Sequence, residues 1–159
     1  MAIVYIMVGI PGAGKTTYAK EVLSDCVYLG TDAIRKELFG KELTLKGRKK
    51  VYSHLCYRML HMLSKGRNVV IDCTNITQER RRRLLNLIPE NHQCIAVHID
   101  TPLLEALQNN RKRDRHVPAI GIISMHLKLS KPQISEGFWK VIRVEGSRAQ
   151  IREKLSAEG

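Results

Sequence analysis

Residues 9–16 read GIPGAGKT, which fills every fixed position of the pattern G-x-x-x-x-G-K-[ST]. An apolar run, Ile3–Val8, stands ahead of the pattern and an amphipathic segment follows it. That order of strand, glycine loop and helix ties the chain to a parallel α/β architecture. Glycines are required because the loop must turn its backbone N–H groups inward, at distances and angles that a Cβ would obstruct. The object such a nest fits is a phosphate: Lys15 adds a point charge for the β- and γ-phosphates, Thr16 offers a hydroxyl to Mg²⁺, and the helix N-terminus adds its dipole.

The rest of the chain repeats the alternation. Apolar runs at 3–8, 26–29, 68–73, 94–99 and 140–144 predict five strands. Amphipathic segments at 14–23, 32–39, 47–64, 77–88, 102–112 and 120–129, with a short one near 148–155, predict helices. In the third helix Val51, Leu55, Met59, Met62 and Leu63 mark the buried stripe, widened for packing by Tyr52, Cys56 and Leu60. Thr101 is read as the N-cap of the fifth helix and Pro102 as its first residue. No repeat or linker divides the chain, so residues 1–159 are expected to form one three-layer α/β domain.

Composition removes other classes. With 43% hydrophobic residues among 159, the chain is neither disordered nor of low complexity. Its longest uncharged stretch, 1–14, is broken by glycine and proline and lacks the basic start of a signal peptide. A membrane span needs about 20 apolar residues, so no membrane segment is expected. The four cysteines, at 26, 56, 73 and 94, form no C-x-x-C pair, which suits a reducing, cytoplasmic compartment and leaves the Asn75-Ile76-Thr77 sequon idle. No H-E-x-x-H, zinc-finger spacing or G-x-S-x-G occurs, and His54, His61, His98, His116 and His126 match no ligand pattern.

What the nucleotide serves is narrowed by what is missing. A guanine-nucleotide switch needs D-x-x-G and N-K-x-D, and neither string occurs. A motor ATPase ends a strand in Asp-Glu, whereas here Asp72 precedes Cys73 and Asp100 precedes Thr101. A small phosphotransferase remains. Its acceptor site belongs at the carboxyl edge of the sheet. There the second strand leads into Gly30-Thr31-Asp32-Ala33-Ile34-Arg35, which puts an acid and a base one helical turn apart. Asp32 suits the group that orients an attacking hydroxyl and takes its proton.

From Ile3 to about Val144 the sequence resembles the kinase module of bacteriophage polynucleotide kinase-phosphatases and their bacterial relatives, which phosphorylate 5′-hydroxyl ends of DNA or RNA. The resemblance is carried by GIPGAGKTTYAKE, TDAIR, VIDCTNITQERRR, the arginine-rich stretch after Pro102 and HVPAIGIISM. It implies a five-stranded parallel sheet of order 2-3-1-4-5 under an arginine-rich lid. It implies Asp32 as general base, Arg35 as the grip on the acceptor phosphate, and Arg113 as the lid arginine that reaches the ATP phosphates. Around ATP and Mg²⁺ it implies Gly9, Gly12, Ala13, Gly14, Lys15, Thr16 and Thr17, with Arg111 and Arg115 flanking Arg113. To the acceptor it assigns Asp72, Thr74, Asn75 and Arg80, although Asp72, at a strand end, equally suits the magnesium shell.

Charge supports a polyanionic acceptor. With 27 Lys and Arg against 15 Asp and Glu the net charge is +12, and basic residues concentrate at 46–50, 80–83 and 111–115. Arg80 and Arg81, ahead of Leu84, Leu85 and Ile88, are read as starting an inward face near Asp72, within reach of an acceptor backbone. Phe138 and Trp139 are read as core. Aromatic residues are only 5%, so the site engages an end of a strand, with no platform for many bases. Two other readings stay open: a kinase of a small metabolite, sugar or nucleoside, including zeta-toxin-like kinases, and a non-catalytic nucleotide-dependent adaptor for nucleic acid. The family often joins this module to a phosphatase or ligase; nothing in these residues encodes either activity, and a separate phosphatase or ligase is one candidate partner.

Overall fold

The structure is a computed structural model, and it describes residues 1–40, 47–114 and 116–146. The strands β1 (Ile3–Val8), β2 (Val27–Gly30), β3 (Val69–Asp72), β4 (Gln93–Asp100) and β5 (Lys140–Glu145) form one parallel sheet of order β2-β3-β1-β4-β5. Helices α1 (Lys15–Glu21), α2 (Thr31–Phe39), α3 (Arg48–Ser64), α4 (Gln78–Leu85), α5 (Leu103–Arg111) and α6 (Ala119–Lys128) cover it. The expected helix near 148–155 lies outside the described residues.

A central parallel strand is buried on both faces, so β1 can be almost wholly apolar. Its alternate side chains feed two cores. Val4, Ile6 and Val8 join Ile34, Val51, Leu55, Met59, Leu63 and Leu84 on one face of the sheet. Met7 joins Ala19, Val70, Val97, Ile99, Ala106 and Ile122 on the other. Helices α2, α3 and α4 thus lie on one side and α1, α5 and α6 on the other, which gives the three layers. No helix among the described residues is long and apolar enough to cross a membrane.

The order places β1 between β3 and β4, where ligands bind in open α/β sheets. Register then aligns the strand ends: Gly30 pairs with Asp72, so the start of α2 stands beside the end of β3. After β3, Gly9 N–H donates to Thr74 O at 3.0 Å and Asn75 Nδ2 donates to Met7 O at 2.9 Å, which ties that loop to the root of the phosphate loop.

Two local readings change. Thr101 does not cap α5: its hydroxyl donates to Ala13 O at 2.8 Å and Gly146 O at 3.1 Å, and Pro102 takes the cap position. Thr101 is buried, and its one hydroxyl proton is shared between two internal carbonyls, which orients the side chain toward them. Phe138 is core as expected, but Trp139 is exposed, because neighbouring residues of an extended chain point to opposite sides.

Candidate active site

The loop from Gly9 to Thr16 opens into a cleft of about 910 Å³ at the carboxyl edge of the sheet. Among the expected nucleotide residues, Gly12, Gly14, Lys15, Thr16 and Thr17 line it. Gly9 and Ala13 do not, and both are buried at the loop's base. Gly12 has φ 83°, and a Cβ there would run into the carbonyl oxygen of Ala106, so only glycine lets the loop lie this close to α5.

Lys15 is 8% exposed and its ammonium donates to Ile10 O at 2.9 Å. Burial pushes its pKa below the ordinary lysine value, with Asp72 pulling it back up and Arg113 adding to the fall. Lys15 is therefore a desolvated charge under the opposing influence of Asp72 and Arg113, a setting in which its attraction for a phosphate is strengthened.

Asp72 accepts two hydrogen bonds on one oxygen, from the Thr16 hydroxyl at 2.6 Å and from the Tyr28 hydroxyl at 2.6 Å. Burial and the adjacent carboxylate raise the Tyr28 pKa far above its ordinary value, so it remains a donor. Tyr28 reaches this position because β2 ends in glycine; a Cβ on Gly30 would stand 2.6 Å from its hydroxyl. Lys20 Nζ caps the other face of the ring, 5.0 Å from the centroid. Magnesium at a phosphate site takes one or two protein oxygens and completes its shell with phosphate and water. The Thr16 hydroxyl and the Asp72 carboxylate fit that donor set, and among the described residues no cluster of three His, Cys, Asp or Glu side chains offers another cation site.

Across the cleft stand Asp32 and Arg35, joined at 3.0 Å, with their side chains 42% and 14% exposed respectively. Asp32 is the second residue of α2, and the cap position belongs to Gly30, so its carboxylate is not spent as the N-cap. Thr74, Asn75 and Arg80 line the same space. Arg80 donates to the Thr74 hydroxyl at 3.4 Å, while the Asn75 amide is taken up by Met7. Cys73 also faces the cleft, but burial pushes its thiol up to about 12 and keeps it protonated.

A family model described as an AAA domain matches residues 4–132. The chain belongs to that family. Its described fold is that of P-loop kinases. It is 28% identical over 136 residues to the L-seryl-tRNA(Sec) kinase of Methanococcus maripaludis, covering 80% of this chain and 52% of that one. It is 27% identical over 147 residues to the bifunctional polynucleotide phosphatase/kinase of Schizosaccharomyces pombe, covering 89% and 33%. The chain thus spans between a third and about half of these relatives' lengths. Two solved structures share the fold: a Pnkp1/Rnl/Hen1 RNA repair complex, with TM-score 0.73 at 22% identity over 80% of this chain and 44% of that one, and a sugar kinase from Janibacter, with TM-score 0.70 at 23% identity over 99% and 93%.

In this P-loop kinase fold the members of the two arginine clusters, 80–83 and 111–115, separate. Arg113 lines the cleft, with Asn109, Val117 and Pro118; Arg111 is exposed and does not, and Arg115 lies outside the described residues. Arg80 and Arg83 line it too, but Arg81 is fully buried. The Arg81 guanidinium donates to both carboxylate oxygens of Glu136, at 2.7 and 2.8 Å, and to Asn75 O at 2.9 Å and Ser130 O at 3.0 Å. Residues 80 and 83 share a face one turn apart, whereas 81 falls with Leu84 against the core. Arg81 therefore cannot meet an acceptor backbone.

Four residues in or beside the cleft escaped sequence reading. Tyr28 was hidden because a tyrosine inside a strand signals packing, and only the register of β2 on β3 brings it to Asp72. Arg48 and Lys49 were visible as charge without a destination. Tyr52, read as part of a buried stripe, is 37% exposed and lines the cleft.

Proposed function

We propose that this P-loop kinase transfers the γ-phosphoryl group of ATP to the 5′-hydroxyl of a DNA or RNA end. The observation that carries the reading is one cleft holding the phosphate loop, the Asp32–Arg35 pair and a rim of four further cations, Arg48, Lys49, Arg80 and Arg83. A neutral sugar has no use for such a rim; a polynucleotide backbone does.

Asp32 orients the 5′-hydroxyl and takes its proton as the oxygen forms a bond to the γ-phosphorus, and the bond to the β-bridging oxygen breaks to release ADP. Lys15 and the loop amides hold the β- and γ-phosphates, and Arg113 closes on the charge that spreads over the transferring group. Arg35 grips the acceptor phosphate and keeps Asp32 turned to its hydroxyl. Magnesium, held through Thr16 and Asp72, would neutralise the phosphate oxygens.

Incubation with γ-labelled ATP and a 5′-hydroxyl oligonucleotide tests this directly: label appears on the oligonucleotide, and its KM rises steeply with salt. Label on a sugar or nucleoside, with a flat salt response, would favour the second reading, a small-metabolite kinase. That reading draws on the Janibacter sugar kinase, which matches nearly the whole of both chains. Binding of the oligonucleotide without any transfer would identify an adaptor. The free thiols suit a cytoplasmic setting.

A further inference from the structure

Tyr52 is the one aromatic side chain lining the cleft among the described residues. Its position is built. The stripe Val51, Leu55, Met59 and Leu63 fixes α3 on the core, and Arg58 pairs with Glu37 at 2.6 Å to tie α3 to α2, the helix that carries Asp32 and Arg35. Arg48 and Lys49 precede Tyr52 by four and three residues, so the three side chains share a helix face. Arg83 completes the surround from α4, where it pairs with Glu79 and still lines the cleft. Partial burial, aided by Cys56 and Cys73 and opposed by Arg83, pushes the Tyr52 pKa up to about 12. A partly exposed ring on the cleft wall, with three cations lining the same cleft, matches a nucleotide: the ring takes the base and the cations take its phosphate.

We propose that Tyr52, with Arg48, Lys49 and Arg83, forms the subsite for the 5′-terminal nucleotide of the acceptor, with the base stacked on the ring. The proposal rests on the polynucleotide reading above and deepens it. Small metabolites lacking a base would gain nothing from this wall, so it sets specificity without touching the reacting atoms.

The experiment is a binding cycle with two probes: a short 5′-hydroxyl oligonucleotide, and the same oligonucleotide with an abasic 5′-terminal residue. The wild-type chain binds the first about tenfold more tightly, the range expected of one stacked base. Tyr52→Ala abolishes the preference, Tyr52→Phe keeps it, and neither changes ATP affinity; thermal melts confirm that both variants fold. Arg83→Gln weakens both probes alike and flattens the salt dependence. The subsite is overturned if the wild type shows no preference, if Tyr52→Ala weakens both probes equally or leaves the preference intact, or if ATP affinity falls instead. Transfer to the oligonucleotide with the preference surviving Tyr52→Ala would leave the kinase reading standing and remove the subsite. A preference abolished by Tyr52→Ala in a chain that transfers nothing would do the reverse.

Discussion

Asp32 with Arg35 and Glu136 with Arg81 are the same chemical pair in two surroundings. The first is joined at 3.0 Å, with the carboxylate side chain 42% exposed toward the cleft. The second is sealed: the side chains are 0% and 5% exposed, and Arg81 also satisfies the Asn75 and Ser130 carbonyls. A pair that opens on the cleft can be reached by a ligand, and a sealed one cannot. The sealed pair joins α4 to the turn before β5, and through Asn75 it steadies the loop that frames the site. Charge alone does not mark a site; access from the cleft does.

Exchanging the roles by mutation gives the largest effects. Asp32→Asn lowers kcat by about 10²–10⁴-fold with ATP affinity nearly unchanged, measured by steady-state kinetics and direct ATP binding, and costs under about 1 kcal/mol in denaturant unfolding. Loss of ATP affinity in that variant would refute its role. Arg81→Met does the opposite, costing about 3–5 kcal/mol by leaving a buried carboxylate alone, and the double variant with Glu136→Leu recovers much of it. If Arg81→Met unfolds at the wild-type denaturant midpoint, the pair is not the brace described.

The lid repeats the contrast on a smaller scale. Arg113→Ala reduces kcat by about 10²–10³-fold, while Arg111→Ala leaves it within about twofold. Equal losses would mean that the lid acts as diffuse charge. Smaller again is Tyr28→Phe, which removes one donor from Asp72: stability falls by about 1.5 kcal/mol, and half-saturation for magnesium shifts in the same variant. An unchanged magnesium response would make Tyr28 structural only.

The smallest effect is in pH. His98 is buried on β4, where desolvation and the nearby Arg143, Lys131 and Arg81 lower its pKa, partly opposed by Asp100. The unfolded chain then binds a proton more readily than the folded one, so stability is constant above about pH 6.5, the ordinary imidazole value, and declines as pH falls below it. His98→Gln flattens that decline in unfolding curves taken across the range.

Local pattern made most of the fold legible. The five apolar runs became the five strands with ends moved by a residue or two, and the family resemblance supplied the order that register confirms. Lys15, Thr16, Asp32, Arg35 and Asp72 were legible for the same reason: each sits at a strand end or in a motif whose geometry is local. What failed to read was rotation and cross-strand pairing. Arg80 and Arg81 differ by one step around a helix, which decides between cleft and core. Asp72, open between two roles in the sequence, shares an oxygen with Thr16 and Tyr28 because β2 pairs with β3 in one register.

By itself, then, the chain's order of residues determined five apolar runs alternating with helices, a phosphate nest and an acid with a base one turn apart, since each depends on residues close together in the chain. Tertiary structure decided which cations face the cleft, which arginine is sealed and which tyrosine meets Asp72. Those outcomes depend on how distant segments are rotated and registered against one another, and the free energy that sets them is spread over the two cores.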